Sequence, residues 1–256
     1  MSSIYMAHTY PRELAQAKEE RWPILIPIGT MEYHSSICPF GCDTLVAMGV
    51  VDRLAERIDS VVLPPIYYGV ASYAVAGPEA GSIHVDCDTL EANVYCILKS
   101  LFRAGLNRNI FMVICHQTED ENPMELACKK AARKLIFEYL EETAGYGWWG
   151  KRENAGFYDQ LSAEDNPWNW VRTITGRGMV PNMMTQYGNA GDHAGKFECS
   201  ILEHLYPGSI KPERLGEADD WFAESSREMS AEIGKAWVTE YVDSFEAIVR
   251  AQRGRA

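Results

Sequence analysis

The sequence is short of basic residues, of long apolar runs and of repeated or low-complexity tracts. Its 24 lysines and arginines are outnumbered by 36 aspartates and glutamates, for a formal net charge of -12. A polyanionic partner requires a concentrated basic surface to displace counterions; no basic run is present, so nucleic acid is not an expected partner. The longest apolar stretches, such as Ile110 to Cys115, fall far short of the about 20 apolar residues that span a bilayer. Residues 1–21 mix charges with Tyr5, His8, Tyr10 and Pro11 and lack the basic-then-apolar order of a secretory leader. The expectation is a soluble, cytoplasmic protein with no membrane partner. Seven scattered cysteines, an odd number, fit reduced thiols better than a disulfide framework. No linker divides the chain, which reads as a single domain over residues 1–256.

What is present is an alternation of short apolar runs with helical spacing. Ile24 to Ile28 reads as a buried strand closed by Gly29, and Asp43 to Ile58 carries Leu45, Met48, Val51, Leu54 and Ile58 at helical intervals. Val61 to Leu63 is a second strand stopped by Pro64 and Pro65, followed by a glycine-rich loop from Gly69 to Gly81. The next helix has Asp88 as its expected cap, Glu91 completing a capping-box-like pair, and Gly105 at its left-handed end. Asn109 to Cys115 is the clearest buried strand, and Asn122 to Thr143 a long helix ended by Gly145. His193 to Tyr206 resumes helical spacing, and Trp221 to Val249 reads as one or two amphipathic helices. This order predicts an α/β fold, a three-layer α/β/α sandwich on a mainly parallel central sheet, with its active site at the C-terminal strand ends.

Residues able to do chemistry fall at those ends. Glu32 and His34 alternate with Met31 and Tyr33 just past a strand, so in an extended chain both side chains face one way. Asp43 opens the next helix, where it is also a natural N-cap; Glu32 also fits a solvated carboxylate and His34 a loop histidine. His116 ends an apolar strand, and His193 and Glu198 lie five apart. On one helix, five residues turn through about 500 degrees, which would point those two side chains apart. Buried imidazoles and carboxylates need a partner, and a divalent cation supplies one; the mixed donor set suits zinc or manganese, with iron as a further option. A rival arrangement is a structural zinc site from His34, Cys38, Cys42 and Cys115.

Four ordered segments resemble the creatininase, or creatinine amidohydrolase, family over Pro27 to about Tyr206. Pro27-Ile28-Gly29-Thr30-Met31-Glu32-Tyr33-His34 resembles its P-x-G-x-x-E-x-H strand end, and Gly41-Cys42-Asp43-Thr44 its G-x-D-T. Leu63-Pro64-Pro65-Ile66-Tyr67-Tyr68-Gly69 is similar to its L-P-P-x-x-Y-G stretch, and His193-Ala194-Gly195 with Glu198-Cys199-Ser200 to its H-A-G-x-x-E-T-S. The resemblance implies a centre of two divalent ions per subunit, bridged by Asp43 and completed by Glu32, His34, His116 and Glu198, with His193 as proton shuttle. It also implies a homohexamer and the hydrolysis of a non-peptide C–N bond in a small amide, cyclic amide or formamide. The same ligands would serve a lactonase, a phosphoesterase, an isomerase or a non-catalytic metal-binding protein.

The departures from the family pattern bear on the substrate. The family's G-H-G-G-N or G-H-Y-E-N is replaced by Cys115-His116-Gln117-Thr118-Glu119. Thr118 stands where creatinine-hydrolysing members place a ligand glutamate, which argues for a substrate other than creatinine. Gly81-Ser82-Ile83-His84 replaces a G-T-x-S, so His84 either touches substrate or packs. From 146 to 170 the periodicity fails, and Trp148, Trp149, Trp168 and Trp170 crowd together; this insertion reads as a lid over a flat or cationic ligand or as a subunit contact.

Overall fold

The computed structural model describes residues 3–116, 122–179 and 192–253. Five strands, β1 (Ile4–Tyr5), β2 (Ile24–Ile28), β3 (Val61–Val62), β4 (Ile110–Ile114) and β5 (Val171–Thr175), form one sheet in the order β1-β3-β2-β4-β5. Every pairing is parallel, with β2 the middle strand: Ile24 pairs with Val61 on one side and with Ile110 on the other, and Ile110 in turn pairs with Val171. Parallel neighbours require crossovers, and helices α1 (Pro11–Glu19), α2 (Cys42–Ala55), α3 (Cys87–Arg103) and α4 (Pro123–Ala144) supply them in turn. A short α5 (Gly176–Met179) follows β5; α6 (Lys196–Leu205) and α7 (Ala231–Arg253) complete the described helices.

The period of two along each strand divides the interior into two cores. Ile110, Met112 and Ile114 face α3 and α4, packing with Leu90, Val94, Leu98, Ala131 and Leu135. Phe111 and Val113 face the other way, onto Val50 and Leu54 of α2, Leu202 of α6 and Phe245 of α7. The expected three-layer α/β/α arrangement is the observed one. Among the described residues no helix is long and apolar enough to cross a membrane.

Several boundaries shift for local reasons. Asp88 does not cap α3: Asp86 precedes the helix and no side chain caps it, while Asp88 lies in the first turn, 3.8 Å from Lys130. Asn122 does cap α4, accepting from the Glu125 N–H at 2.9 Å ahead of Pro123. The helix expected from His193 starts only at Lys196, so His193 stands in the bend before it, where Ala194 takes a left-handed φ of 51°.

The aromatic segment from 146 to 170 forms turns and short 3-10 helices on the α3–α4 face. Trp170 is buried against Tyr139 and Phe102, with ring centroids 4.8 and 6.0 Å away. Phe137 holds Trp168 and Trp148 at 5.0 and 6.1 Å, and Trp149 is exposed.

Candidate metal centre

Close backbone approach builds the site. Gly29 ends β2 against the start of α2, where an added Cβ would lie 2.6 Å from the Thr44 backbone nitrogen, so only glycine lets the two segments touch. Beyond it the Glu32 N–H donates to the Phe40 carbonyl at 2.9 Å, and Ser35 turns the chain at a φ of 60°. Glu32 and His34 are thereby held over the first turn of α2. Gly41, not Asp43, occupies the cap position there, and no side chain caps the helix; the Asp43 carboxylate points into the site instead.

The fifth donor comes from α6, which α7 clasps so closely that a Cβ on Gly234 would overlap the Ser200 carbonyl. Asp192 caps α6 from outside, its carboxylate accepting from the N–H groups of Phe197 and Glu198 at 2.7 and 3.3 Å. Glu198 then reaches back and accepts from the Ala194 N–H at 2.7 Å.

All five expected ligands converge. His116 Nδ1 lies 3.6 Å from Glu32 and 3.3 Å from Asp43; His34 Nε2 lies 3.8 Å from Asp43 and 3.5 Å from Glu198. Asp43 faces both histidines, one through each oxygen. The candidate ligand atoms fall into overlapping groups within 4.8 Å: Glu32, Asp43 and His116; Glu32, His34 and His193; and His34, Cys42 and Glu198. The rival set of His34, Cys38, Cys42 and Cys115 is not one of them; Cys38 instead meets Cys199, sulfur to sulfur, at 3.5 Å.

His193 adopts a defined orientation. Its Nε2 donates to the Tyr33 carbonyl at 2.6 Å, which leaves Nδ1 facing Glu32 at 4.0 Å. The ring stacks on His34 at 4.1 Å and meets the Phe222 edge at 5.3 Å. The separation of His193 from Glu198 therefore comes from the turn at Ala194, not from rotation along a helix.

Electrostatics mark the cluster as a charge problem. Burial pushes Glu32 up to about 7, against His116 and with Asp43 adding to the rise. Burial opposes protonation of His34, yet the Glu198 and Asp43 carboxylates outweigh it and lift the imidazole to about 10. Asp43 and Glu198 are held low despite burial, Asp43 by His116 and His34 and Glu198 by His34. Burial and the neighbouring His34 hold His193 down. His34 Nε2, His116 Nε2 and Asp43 Oδ2 are buried without a hydrogen-bond partner. Such groups are costly alone and fit divalent cations, which both carboxylate and imidazole ligate.

The cluster floors a cavity of about 970 Å³. Its walls include Phe197, Trp221, Phe222, Trp237 and Tyr241. Trp148, Trp149, Trp168 and Trp170 are not among the lining residues; they pack on or around the opposite core. His84 is not a lining residue either: its Nδ1 accepts from the Ser72 N–H at 3.1 Å, and Ser72, Ala74 and Val75 of the same loop form the wall. Of the Cys115–Glu119 departure, Gln117, Thr118 and Glu119 lie outside the described residues. Sequence reasoning missed Trp221 and Phe222, whose one signal was an adjacent aromatic pair before the last helix.

Comparison with known proteins points to one family. The sequence profile of the creatininase family, described as creatinine amidohydrolase, matches residues 7–248. A creatinine amidohydrolase of Pseudomonas putida is 26% identical over 200 residues, spanning 75% of this chain and 67% of that protein. A solved creatininase variant described as the Zn-Zn type superposes with a TM-score of 0.70 at 19% identity, covering 98% of this chain and 99% of its own. A structure described as creatininase Mn gives 0.71 at 20% identity with the same coverage. The chain belongs to the creatininase family.

Proposed function

We propose that this protein hydrolyses a non-peptide C–N bond of a small amide, cyclic amide or formamide other than creatinine, at a centre of two divalent ions held by Glu32, His34, Asp43, His116 and Glu198. The observation that carries this reading is the convergence of those five side chains, with buried atoms of His34, Asp43 and His116 left unpaired, beside a cavity that His193 also lines. Zinc or manganese suits the donor set, as in the two solved relatives. When bound, such ions polarise a carbonyl and make water acidic near neutral pH.

The chain's own residues supply the rest. Asp43, with one oxygen facing His34 and the other His116, would serve both halves of the centre, and Glu32 and Glu198 would balance charge on either side. His193, its Nε2 proton committed to Tyr33, exchanges protons at Nδ1. Held low, that nitrogen is free to take a proton from the attacking water and return it to the leaving nitrogen, which departs poorly unprotonated. Phe222, which touches His193, and Trp221 at the rim provide flat apolar walls that exclude water. Seven free cysteines support a cytoplasmic setting, and the exposed Tyr146 and Trp149 support assembly into a homo-oligomer, up to the family's hexamer.

The test is chelator-stripped protein assayed on cyclic amides, formamides, lactones and creatinine, with and without added zinc or manganese. Turnover of an amide restored by about two equivalents of metal is expected. Turnover that persists in metal-free protein, or is confined to lactones, would overturn the reading.

A further inference from the structure

One sulfur lies among the nitrogen and oxygen donors of the centre. Cys42 is the first residue of α2, immediately before Asp43, and is fully buried. Its Sγ, a nitrogen of His34 and a carboxylate oxygen of Glu198 all lie within 4.8 Å of one another. The three atoms come from three separate segments: the loop after β2, the first turn of α2 and the first turn of α6.

A second observation points to an occupant between them. The Nδ1 of His34 already engages the Glu32 carbonyl at 3.0 Å, so Nε2 is the atom turned toward Glu198, at 3.5 Å. That nitrogen is buried and has no hydrogen-bond partner, although the ring is inaccessible to water. A neutral thiol is too weak a donor to satisfy it. A cation in the same place would complete the three atoms at once, since a thiol that coordinates a metal gives up its proton.

We infer that Cys42 Sγ joins His34 and Glu198 as a ligand to one ion of the proposed centre, and that this thiolate makes that position select zinc over manganese. The inference rests on the two-metal reading above. Zinc accepts mixed sulfur, nitrogen and oxygen donors in tetrahedral sites, and Cys42 would join His34, Glu198 and the Asp43 oxygen that faces His34 as a fourth protein donor. Manganese prefers oxygen-rich sites and gains little from a thiolate. The adjoining group of Glu32, Asp43 and His116 has no sulfur, so the two positions should differ in metal preference.

Cobalt substitution of the full chain separates the inference from the reading beneath it. Visible d–d bands report cobalt in the centre whatever its ligands, whereas a near-ultraviolet charge-transfer band reports sulfur ligation. Wild type should show both; Cys42→Ser should keep the visible bands and lose the charge-transfer band; Cys38→Ser should keep both. In zinc–manganese competition, Cys42→Ser should narrow the preference for zinc by about 10- to 100-fold, the order by which altered ligand environments change metal affinity. A charge-transfer band missing from wild type, or persisting in Cys42→Ser, overturns the inference while leaving the centre standing. Absence of visible bands in wild type overturns the centre itself. Should Cys42→Ser fail to fold, X-ray absorption of the zinc-loaded wild type decides: a sulfur shell at about 2.3 Å is expected, and its absence removes Cys42 as a ligand.

Discussion

On the α3–α4 face of the sheet, the aromatic segment finds its polar partners within the chain. Trp170 Nε1 donates to the Glu164 carbonyl at 2.8 Å, Trp148 Nε1 to the Tyr158 hydroxyl at 2.9 Å, and Arg133 to the Trp168 carbonyl at 2.9 Å. At the C-terminal strand ends, His34 Nε2, Asp43 Oδ2 and His116 Nε2 are instead buried without a hydrogen-bond partner in one cluster of side chains. Other unpaired buried atoms, on Asn109, Asn122, Tyr206 and Trp237, are not part of this cluster of candidate ligands. Each unsatisfied buried group costs about 1–3 kcal/mol, so a cluster of them is tolerated only where something outside the chain completes it. The aromatic segment solves a packing problem; the site poses a charge problem that the chain alone leaves open.

That contrast is broken most severely at Asp43, the one carboxylate facing both histidines. Asp43→Ala should deplete both metals and abolish turnover, as elemental analysis and the amide assay would show. Retention of two ions would mean that Asp43 does not bridge them. Next comes His193→Ala, expected to lower turnover by about 100- to 10,000-fold while metal content stays intact. Glu198→Ala should deplete metal instead; equal metal loss in both variants would make His193 a ligand. The opposite face should respond in stability rather than chemistry. Trp170→Ala should cost about 3–5 kcal/mol in denaturant unfolding, with metal content unchanged in the folded fraction.

The smallest expected effect is the pH dependence of the metal-free protein. Glu32 is raised from 4.5 to about 7 and His34 from 6.5 to about 10. Both folded values lie above the unfolded ones, so the folded state keeps protons that the unfolded chain has released. Stability therefore falls as pH rises, from 4.5 to 7 through Glu32 and from 6.5 to 10 through His34. His193, held low, contributes a gain only up to its ordinary value near 6.5. The stripped protein should melt at a lower temperature at about pH 9 than at about pH 7, and zinc should remove that difference by binding the unprotonated groups. A melting temperature that is flat across this range in the stripped protein would show that the cluster is already neutralised.

Much of the frame was legible because apolar runs and punctuation agree. Ile24 to Ile28 coincides with β2, Gly105 takes the positive φ expected of it, 77°, and Gly145 follows the last residue of α4 as expected. β5 escaped because Val171-Arg172-Thr173-Ile174-Thr175 is only partly buried and carries no continuous apolar run. α1 escaped because it buries only Ala17 and so has no apolar stripe to read.

The sequence by itself determined the alternating βα order, the placing of Glu32, His34 and His116 after strands, and the family pattern that ties them to Asp43, His193 and Glu198. Periodicity and turn chemistry are local, so neighbouring residues suffice to specify them. Only the tertiary structure decided that Asp43 faces the site and Gly41 takes the cap position, that Cys42 lies with His34 and Glu198, and that Trp221 and Phe222 rather than Trp148 to Trp170 wall the cavity. Those outcomes depend on which surfaces meet across distant segments: the contact of Gly29 with α2 and of Gly234 with α6 sets them, and no local pattern encodes such contacts.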